Sequence, residues 1–235
     1  MKTKQQSQEL ENLIPSPLKK RFIRLAQSVI VVQILFTVGW IIAGLLQEDG
    51  YSIANHDISD MGAKTAPHPW LYMLPTGITG IVTIWFSIRA LRPILKVSGI
   101  QRPIGAWFLA LSLMGLDNFS DMFFQLDCRA IDPGCSQEVA AASVQGKLHI
   151  IVALVSVLFT VIAPFALSRH MRNLEDWKDL KSKTIIFGLF FLAALIGYII
   201  TDGSYGHGYI QRIMCLMLSF GIIVLARRVS KIATS

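Results

Sequence analysis

Six long apolar runs constrain the fold of this chain more than any other feature of its sequence. A helix needs about 20 apolar residues to cross the roughly 30 Å hydrocarbon core of a bilayer. The runs reach that length, and together they occupy over half of the 235 residues. They lie at about 22–46, 70–88, 104–124, 148–167, 184–201 and 208–226. The sequence therefore predicts an all-α, polytopic membrane protein whose six transmembrane helices form a bundle, with no separate soluble domain.

Short polar segments flank the predicted bundle. Residues 1–20 form a polar tail, residues 21–228 hold the six-helix domain, and residues 229–235 form a second tail. The basic cluster before the first run resembles the start of a secretory signal. The run itself is longer than the 7–15 apolar residues of such a signal, and no clear small-x-small cleavage site ends it. We expect an uncleaved first helix.

Composition and charge support a membrane location. Hydrophobic residues make up 53% of the chain, charged residues make up 16%, and the mean hydropathy is +0.52. A net charge of +7 would suggest nucleic-acid binding in a soluble protein, but in a membrane protein basic residues chiefly report topology. Eighteen of the 22 Lys and Arg residues fall in the N-terminal segment, the loops after runs 2 and 4, and the C-terminal segment. The four on the opposite side are Lys64, Arg129, Lys147 and Arg212.

This partition predicts a protein of the cell (inner or plasma) membrane with both termini in the cytoplasm. Its expected partner is the lipid bilayer, and no nucleic acid is expected. Cys128 and Cys135 then fall in an outer loop, where two readings stay open: a disulfide that closes a short loop, or two free thiols. Cys215 lies inside the sixth run and is expected to pack as a small apolar residue.

Two aspartates stand out inside the third run. Asp117 and Asp121 are four residues apart in "GLDNFSDMFF", so on a helix they share one face. A carboxylate at this depth needs a protein partner, water or a function. The pair is expected to bind a cation, to hold a proton, or to form an interhelical ion pair with Arg212 or a histidine.

Arg212 and two histidines also fall at the outer ends of apolar runs. Arg212 lies about one turn into the sixth run, where it needs an acidic partner or a phosphate-bearing ligand. His149 begins run 4 and His207 begins run 6. With Asp121, the two imidazoles suggest a site for a divalent metal such as zinc. The alternative is a pair of interfacial histidines hydrogen-bonded to loop carbonyls.

A polar stretch between runs 1 and 2 completes the outer cluster. It reads "NHDISDMGAKTAPHPW" from Asn55 to Trp70. Ser59 and Asp60 suggest a nucleophile with a neighbouring acid, but the G-x-S-x-G elbow is absent. The alternative is a short interfacial helix capped by Ser or Asp and ended by Gly62, followed by a rigid extended entry into run 2.

The longer stretch "HDISDMGAKTAPHPWLYMLPTGITGI" resembles the signature of the membrane family called domain of unknown function 998. The pieces "LDCRAIDPGC", "QGKLHIIV" and "GYIQRIM" agree with the same family, and the resemblance covers about residues 25–228. It departs from the family pattern at "DNFSD" in run 3. The resemblance implies a small multi-pass membrane protein without assigned chemistry. Its polar signature positions fall here on Ser59, Asp60, Gly62, Asp132, His149, Gln211 and Arg212.

Three functions follow from these residues. The first is an outward-facing site for a lipid or small amphiphile, served by a metal-assisted hydrolase or transferase. In it Ser59, Asp60, Asp121 and His149 are the catalytic candidates, and Arg212, Gln211 and His56 are the substrate-binding candidates. The second is a non-enzymatic binding, sensory or assembly subunit. The third is a proton- or cation-coupled transporter that uses Asp117 and Asp121. The oligomeric state stays open.

Overall fold

A computed structural model describes residues 15–48, 50–172 and 174–234. Most of the predicted N-terminal tail, including Lys2 and Lys4, lies outside the described residues, as does Ser235. The α-helices are α1 Ser16–Leu45, α2 Trp70–Phe86, α3 Arg92–Val97, α4 Ile104–Ala110, α5 Asn118–Ser120, α6 Gln137–Ala140, α7 Val144–Met171, α8 Lys178–Ile200 and α9 His207–Thr234. Turns of 3-10 helix occupy Ser59–Gly62 and Glu175–Trp177, and π-helical turns occupy Ser87–Leu91 and Leu113–Asp117.

Five helical stretches are long and apolar enough to cross a membrane. They are Ser16–Leu45, Trp70–Val97, Val144–Met171, Glu175–Ile200 and His207–Thr234. The second stays helical through the π-helical turn that joins α2 to α3. These stretches correspond to predicted runs 1, 2, 4, 5 and 6. Large apolar side chains such as Leu154 and Ile200 remain exposed on them, as expected for surfaces that face lipid tails.

The third run differs from the predicted continuous helix. Helix α4 ends at Ala110, and Ser112 is extended with φ −74° and ψ 175°. A π-helical turn and the short α5 follow. At the break, the Ser112 hydroxyl donates to the Leu109 carbonyl at 2.7 Å, and the Leu113 N–H donates to the Thr160 hydroxyl at 2.9 Å. These bonds satisfy backbone groups that the helix would otherwise pair, so the interruption is supported by neighbouring groups.

The broken segment, residues 104–124, lies antiparallel to α7 along most of that helix. Its first residues approach the end of α7, where the Gly105 N–H lies 3.5 Å from His170 Nε2. Its last residue approaches the start of α7, where the Phe124 carbonyl lies 3.0 Å from His149 Nδ1. The segment and α7 therefore cover the same height of the bundle.

The bundle has two different ends. The loop end carries the connecting residues 46–48, 50–69, 125–143 and 201–206, and the basic end carries residues 98–103, 172 and 174–177. Helices α1 and α2 are antiparallel, because Gln33 contacts Thr83 whereas Gly39 approaches Pro75. The start of α1 therefore lies at the basic end. The end of α9 lies there too, because Arg228 bonds to Asp176 and Asp179 near the start of α8.

Small and hydroxyl-bearing residues bring α1 and α2 close together. Thr79 and Thr83 on α2 are fully buried. The Thr79 hydroxyl lies 2.9 Å from the Val32 carbonyl, and the Gln33 amide donates to the Thr83 hydroxyl at 3.1 Å. Gly80 permits the same close approach to the broken segment, since a Cβ there would lie 2.2 Å from the Phe119 nitrogen. Such small and polar contacts hold helices together where burial from water gives no driving force.

Candidate functional site

The loop end is covered by a folded structure that we call the loop cap, made of residues 47–48, 50–69 and 125–143. The Lys64 ammonium lies 2.5 Å from Asp127, and the Lys64 N–H donates to the Leu126 carbonyl at 2.9 Å. The Lys64 hydrogen bond, with further bonds from Ser143, lowers the pKa of Asp127 to about 2. These contacts join the two halves of the loop cap.

A second set of contacts rigidifies the distal part of the loop cap. Asp132 accepts hydrogen bonds from the Thr65 hydroxyl and from the Arg129 backbone and guanidinium. Burial acts to raise the pKa of Asp132, but these donors leave it lowered. Cys128 and Cys135 are joined by a disulfide with their Cα atoms 6.1 Å apart. The segment after the third run is therefore a cross-linked loop.

The Asp121 group, consisting of Tyr72, Asp121 and His149, lies below the loop cap. The Tyr72 hydroxyl donates to Asp121 Oδ2 at 2.8 Å. His149 Nδ1 lies 3.2 Å from Asp121 Oδ1 and 3.0 Å from the Phe124 carbonyl. Each of the three residues is less than a tenth exposed. The group connects α2, the broken segment and α7, so it joins three elements at one buried point.

The Asp57 group, consisting of Asp57, Tyr198 and His207, repeats the same chemistry between the loop cap, α8 and α9. The Tyr198 hydroxyl donates to Asp57 Oδ2 at 2.9 Å, and His207 Nε2 lies 3.2 Å from Asp57 Oδ1. His207 Nδ1 lies 3.1 Å from the Tyr198 carbonyl, and the two rings stack at 4.1 Å. Both ring nitrogens of His207 therefore face oxygen atoms, and neither is free to bind a metal ion.

The structure does not bring the three predicted metal ligands, His149, His207 and Asp121, together. These candidate ligands fall in separate pairs, because His149 contacts Asp121 whereas His207 contacts Asp57. Within residues 15–48, 50–172 and 174–234, no group of three or more His, Cys, Asp or Glu side chains could hold a metal ion. The sequence placed these residues at one end of the bundle but did not reveal their pairing.

Arg212 binds backbone carbonyls instead of an acid or a phosphate. Its Nη1 donates to the carbonyls of Ile53, His56 and Gly208 at 2.8–2.9 Å, and its Nη2 donates to the Tyr51 hydroxyl at 2.6 Å. In the part of the chain that the structure describes, Arg212 forms no ion pair, so the alternative in which it pairs with Asp117 or Asp121 is wrong, and Asp121 lies against His149 instead. The guanidinium also lies 5.9 Å from the centre of the Trp40 ring. Arg212 therefore fastens the loop at 51–56 to α9.

The other two predicted substrate-binding residues hold the same loop. Gln211 Oε1 accepts a hydrogen bond from the Ile58 N–H at 2.5 Å. His56 Nδ1 accepts one from the Ser52 N–H at 2.8 Å, and burial lowers the pKa of this histidine. Burial also raises the pKa of Tyr51 to about 12, which keeps its hydroxyl neutral. Each of the three predicted substrate-binding side chains thus forms at least one hydrogen bond within the protein.

Ser59 and Asp60 lie in the 3-10 turn Ser59–Gly62, which matches the short helix expected there. The residue before the turn is Ile58, and no side chain caps it, so the predicted Ser or Asp cap is absent. Asp60 is only 4% exposed. Its Oδ1 lies 3.4 Å from the Ala130 N–H, and its Oδ2 is buried without a donor among the described residues. Burial, reinforced by the charge of Asp57, raises the pKa of Asp60 to about 6.

The four catalytic candidates do not form a connected set. Asp121 and His149 are in contact, but no hydrogen bond between described residues joins the Ser59 hydroxyl to a base. Asp117 Oδ1 is buried and lacks a hydrogen-bond partner in the same described part of the chain. Sequence reasoning missed Tyr72 and Tyr198 as partners of the carboxylates. The only signal was their position at helix ends near the polar cluster, which many tyrosines share.

Comparisons with known proteins agree with this architecture. A family model described as "Protein of unknown function (DUF998)" matches residues 30–228. No curated protein and no solved structure matches significantly. The match covers the second, third and fourth membrane-length helices in full, together with the broken segment and the loop cap. It begins inside the first of these helices and ends inside the last.

Proposed function

This chain belongs to the DUF998 family, whose function is unknown, and we propose that it is a non-enzymatic binding or assembly protein of the plasma membrane. In this proposal the chain crosses the bilayer six times, with both termini in the cytoplasm and the loop cap on the outer face. The polar cluster at the loop end braces the helices and holds the loop cap in one conformation. The cap is then a rigid surface for a partner or a lipid headgroup.

The broken segment supports the sixth crossing. It accompanies α7 from His149 to His170, and a helix of that length rises by about 30 Å. The interruption at Ser112 is of the kind that membrane proteins tolerate where backbone groups find partners inside the bundle. The excess of Lys and Arg at the basic end supports the orientation. A disulfide in the loop cap suits an oxidising outer compartment.

The bonding of the polar cluster supports bracing over catalysis. Arg212 alone makes four hydrogen bonds, and three of them reach the loop at 51–56. The Asp121 and Asp57 groups each join separate elements through one carboxylate. An enzyme of the hydrolase type needs a nucleophile within hydrogen-bond reach of its base. Ser59 offers no such contact in the described structure.

A double-mutant cycle on two residues that contact Asp121 tests this proposal. We expect His149→Gln and Tyr72→Phe to lower the unfolding free energy by about 1–3 kcal/mol each, because each removes a contact to a buried carboxylate. The two losses should be non-additive by at least 0.5 kcal/mol, since both residues touch Asp121. Denaturation of the purified protein in detergent measures both quantities.

A comparison of membrane lipid profiles is a second test of the proposal. Membrane lipids of cells that express the wild type would be compared with those of cells that express His149→Gln at equal folded abundance. We expect identical lipid profiles. A lipid that accumulates or disappears only with the wild type would restore the hydrolase or transferase reading, with Asp121 and His149 at its centre.

One observation favours a transporter as the second candidate. The Oδ1 atom of the Asp117 carboxyl is buried without a hydrogen-bond partner among the described residues, about one turn from Asp121. An intramembrane acid without a partner is a natural proton carrier. Asp117→Asn would then abolish proton-coupled uptake in vesicles and leave folding intact. Unchanged proton flux in that variant would remove this candidate.

A further inference from the structure

A cavity of about 300 Å³ lies near the basic end, away from the polar cluster. It is lined by the broken segment and by the halves of α7, α8 and α9 nearest the basic end, and part of its boundary is open. Leu109, Ala163, Phe187 and Leu218 are among its lining residues, and no residue of the loop cap reaches it. Small-molecule sites begin at about 300 Å³, and an apolar cavity half that size binds benzene. This basic-end cavity therefore has room for one hydrocarbon chain but not for a two-chain lipid.

The backbone geometry around the basic-end cavity keeps it open. The helix break at Ser112 forms one wall, and Pro164 inside α7 forms another. On α9, a Cβ at Gly221 would lie 3.2 Å from the Phe187 ring, so the glycine leaves that side without a side chain. Empty cavities destabilise proteins because the lining atoms lose packing contacts. An occupant that fills this space would be bound favourably.

The lining offers almost no hydrogen bonds to a ligand. Its three hydroxyl groups each donate to a backbone carbonyl of the preceding turn: Ser112 to Leu109 at 2.7 Å, Thr160 to Ser156 at 2.7 Å, and Thr184 to Leu180 at 2.8 Å. The remaining lining side chains are apolar except for Lys183. The body of the occupant must therefore be hydrocarbon.

Lys183 supplies a single positive charge at the edge of the basic-end cavity. Lys183 lines the cavity and is exposed at the surface of the protein. No carboxylate among the described residues lies within ion-pair distance of it. The acid one turn earlier, Asp179, instead pairs with Arg228. An ammonium that forms no ion pair beside an apolar cavity matches the chemistry of an anionic amphiphile.

We infer that the basic-end cavity binds a single-chain anionic amphiphile. The hydrocarbon chain lies between the broken segment, α7 and α9, and the carboxylate or phosphate contacts Lys183. This site is independent of the proposed function, because no residue of the Asp121 group, the Asp57 group or the loop cap lines it.

Photolabelling of the protein in phosphatidylcholine nanodiscs tests this inference. The probe is laurate that carries a diazirine in its chain, and the labelled peptides are identified by mass spectrometry. We expect adducts on the α7 and α9 peptides that line the cavity. Unlabelled laurate should compete, and dodecyltrimethylammonium, which has the same chain and the opposite charge, should not. Competition by dodecyl phosphate would identify a phosphate headgroup, and its failure beside laurate would identify a carboxylate.

Matched variants separate the site from general partition into lipid. Lys183→Gln should weaken labelling about tenfold, the size expected for a hydrogen bond to a charged group, whereas Lys181→Gln on the same helix should not. Ala163→Phe should fill the cavity and abolish labelling, whereas Leu158→Phe on the exposed side of α7 should not. If Ala163→Phe does not fold, the comparison of Lys183→Gln with Lys181→Gln tests the inference. Equal competition by the cationic amphiphile, or equal labelling of Lys183→Gln, would overturn the inference.

Discussion

The two ends of this bundle handle buried polar groups in opposite ways. At the loop end, Asp121, Asp57 and Arg212 are all engaged with partners from other elements. At the basic end, the hydroxyl groups around the cavity donate to carbonyls of their own turns, and Lys183 lines the cavity with no ion pair among the described residues. A charge that is already paired braces the fold, whereas a free charge beside apolar space can recognise a ligand. Three of the candidate functional residues, Asp57, Asp121 and Arg212, are therefore engaged in contacts that hold the fold together.

The largest effect should come from breaking the loop end at Arg212. Arg212→Ala removes four hydrogen bonds and leaves the carbonyls of Ile53 and His56 without their charged donor. We expect a loss on the order of 4 kcal/mol in unfolding free energy, because buried carbonyls without donors are costly. Chemical denaturation in detergent measures the loss. Arg227→Ala, at an exposed position of the same helix, is the matched control and should change stability by less than about 0.5 kcal/mol.

Asp60 gives the loop end a specific pH dependence. Its pKa is raised from 3.8 to about 6, so the folded state binds this proton more tightly than the unfolded chain does. The stability contributed by this group is complete below about pH 4 and is lost as the pH rises towards 6. Asp60→Asn removes this titrating carboxyl. As the pH rises from 4 to 7, the unfolding free energy of the variant should therefore increase by about 2–3 kcal/mol relative to that of the wild type. A difference in unfolding free energy that stays flat across this range would contradict the assignment.

The smallest effect should come from an exposed ion pair at the basic end. Lys178 and Glu175 pair across the 3-10 turn before α8, and each side chain is 51% exposed. Solvent screens such pairs, so Lys178→Ala should cost less than about 0.5 kcal/mol. Thermal unfolding of the wild type and of Lys178→Ala at low and high salt measures this change in stability. A loss as large as that of Arg212→Ala would contradict the contrast between the two ends.

Much of the architecture is predictable from the sequence. The all-helical membrane fold and the family are confirmed, because apolar length and short signature motifs are local properties of the chain. The continuous helix predicted for residues 104–124 is wrong, because apolar composition continues unchanged through the break at Ser112. The break depends on the Thr160 hydroxyl of another helix, which the local pattern does not show.

For the candidate site, the sequence predicted which end of the bundle the residues occupy but not which residues contact each other. Charge partition placed Asp121, His149, His207 and Arg212 at one end of the bundle, but it contained no information on which atoms meet. Arg212 binds carbonyls, and every residue has a carbonyl, so no side-chain pattern identifies these partners. The catalytic and substrate-binding roles of the site remain predictions.

The sequence by itself determined that this chain forms long apolar helices and that its basic residues gather towards one end. Both follow from the bilayer acting as a solvent, which sets a requirement on each stretch of about 20 residues separately. Only the tertiary structure decided the pairs Asp121–His149 and Asp57–His207, the interruption at Ser112 and the cavity beside Lys183. These features depend on contacts between residues far apart in the chain, where packing distances select one partner among several of equal chemistry.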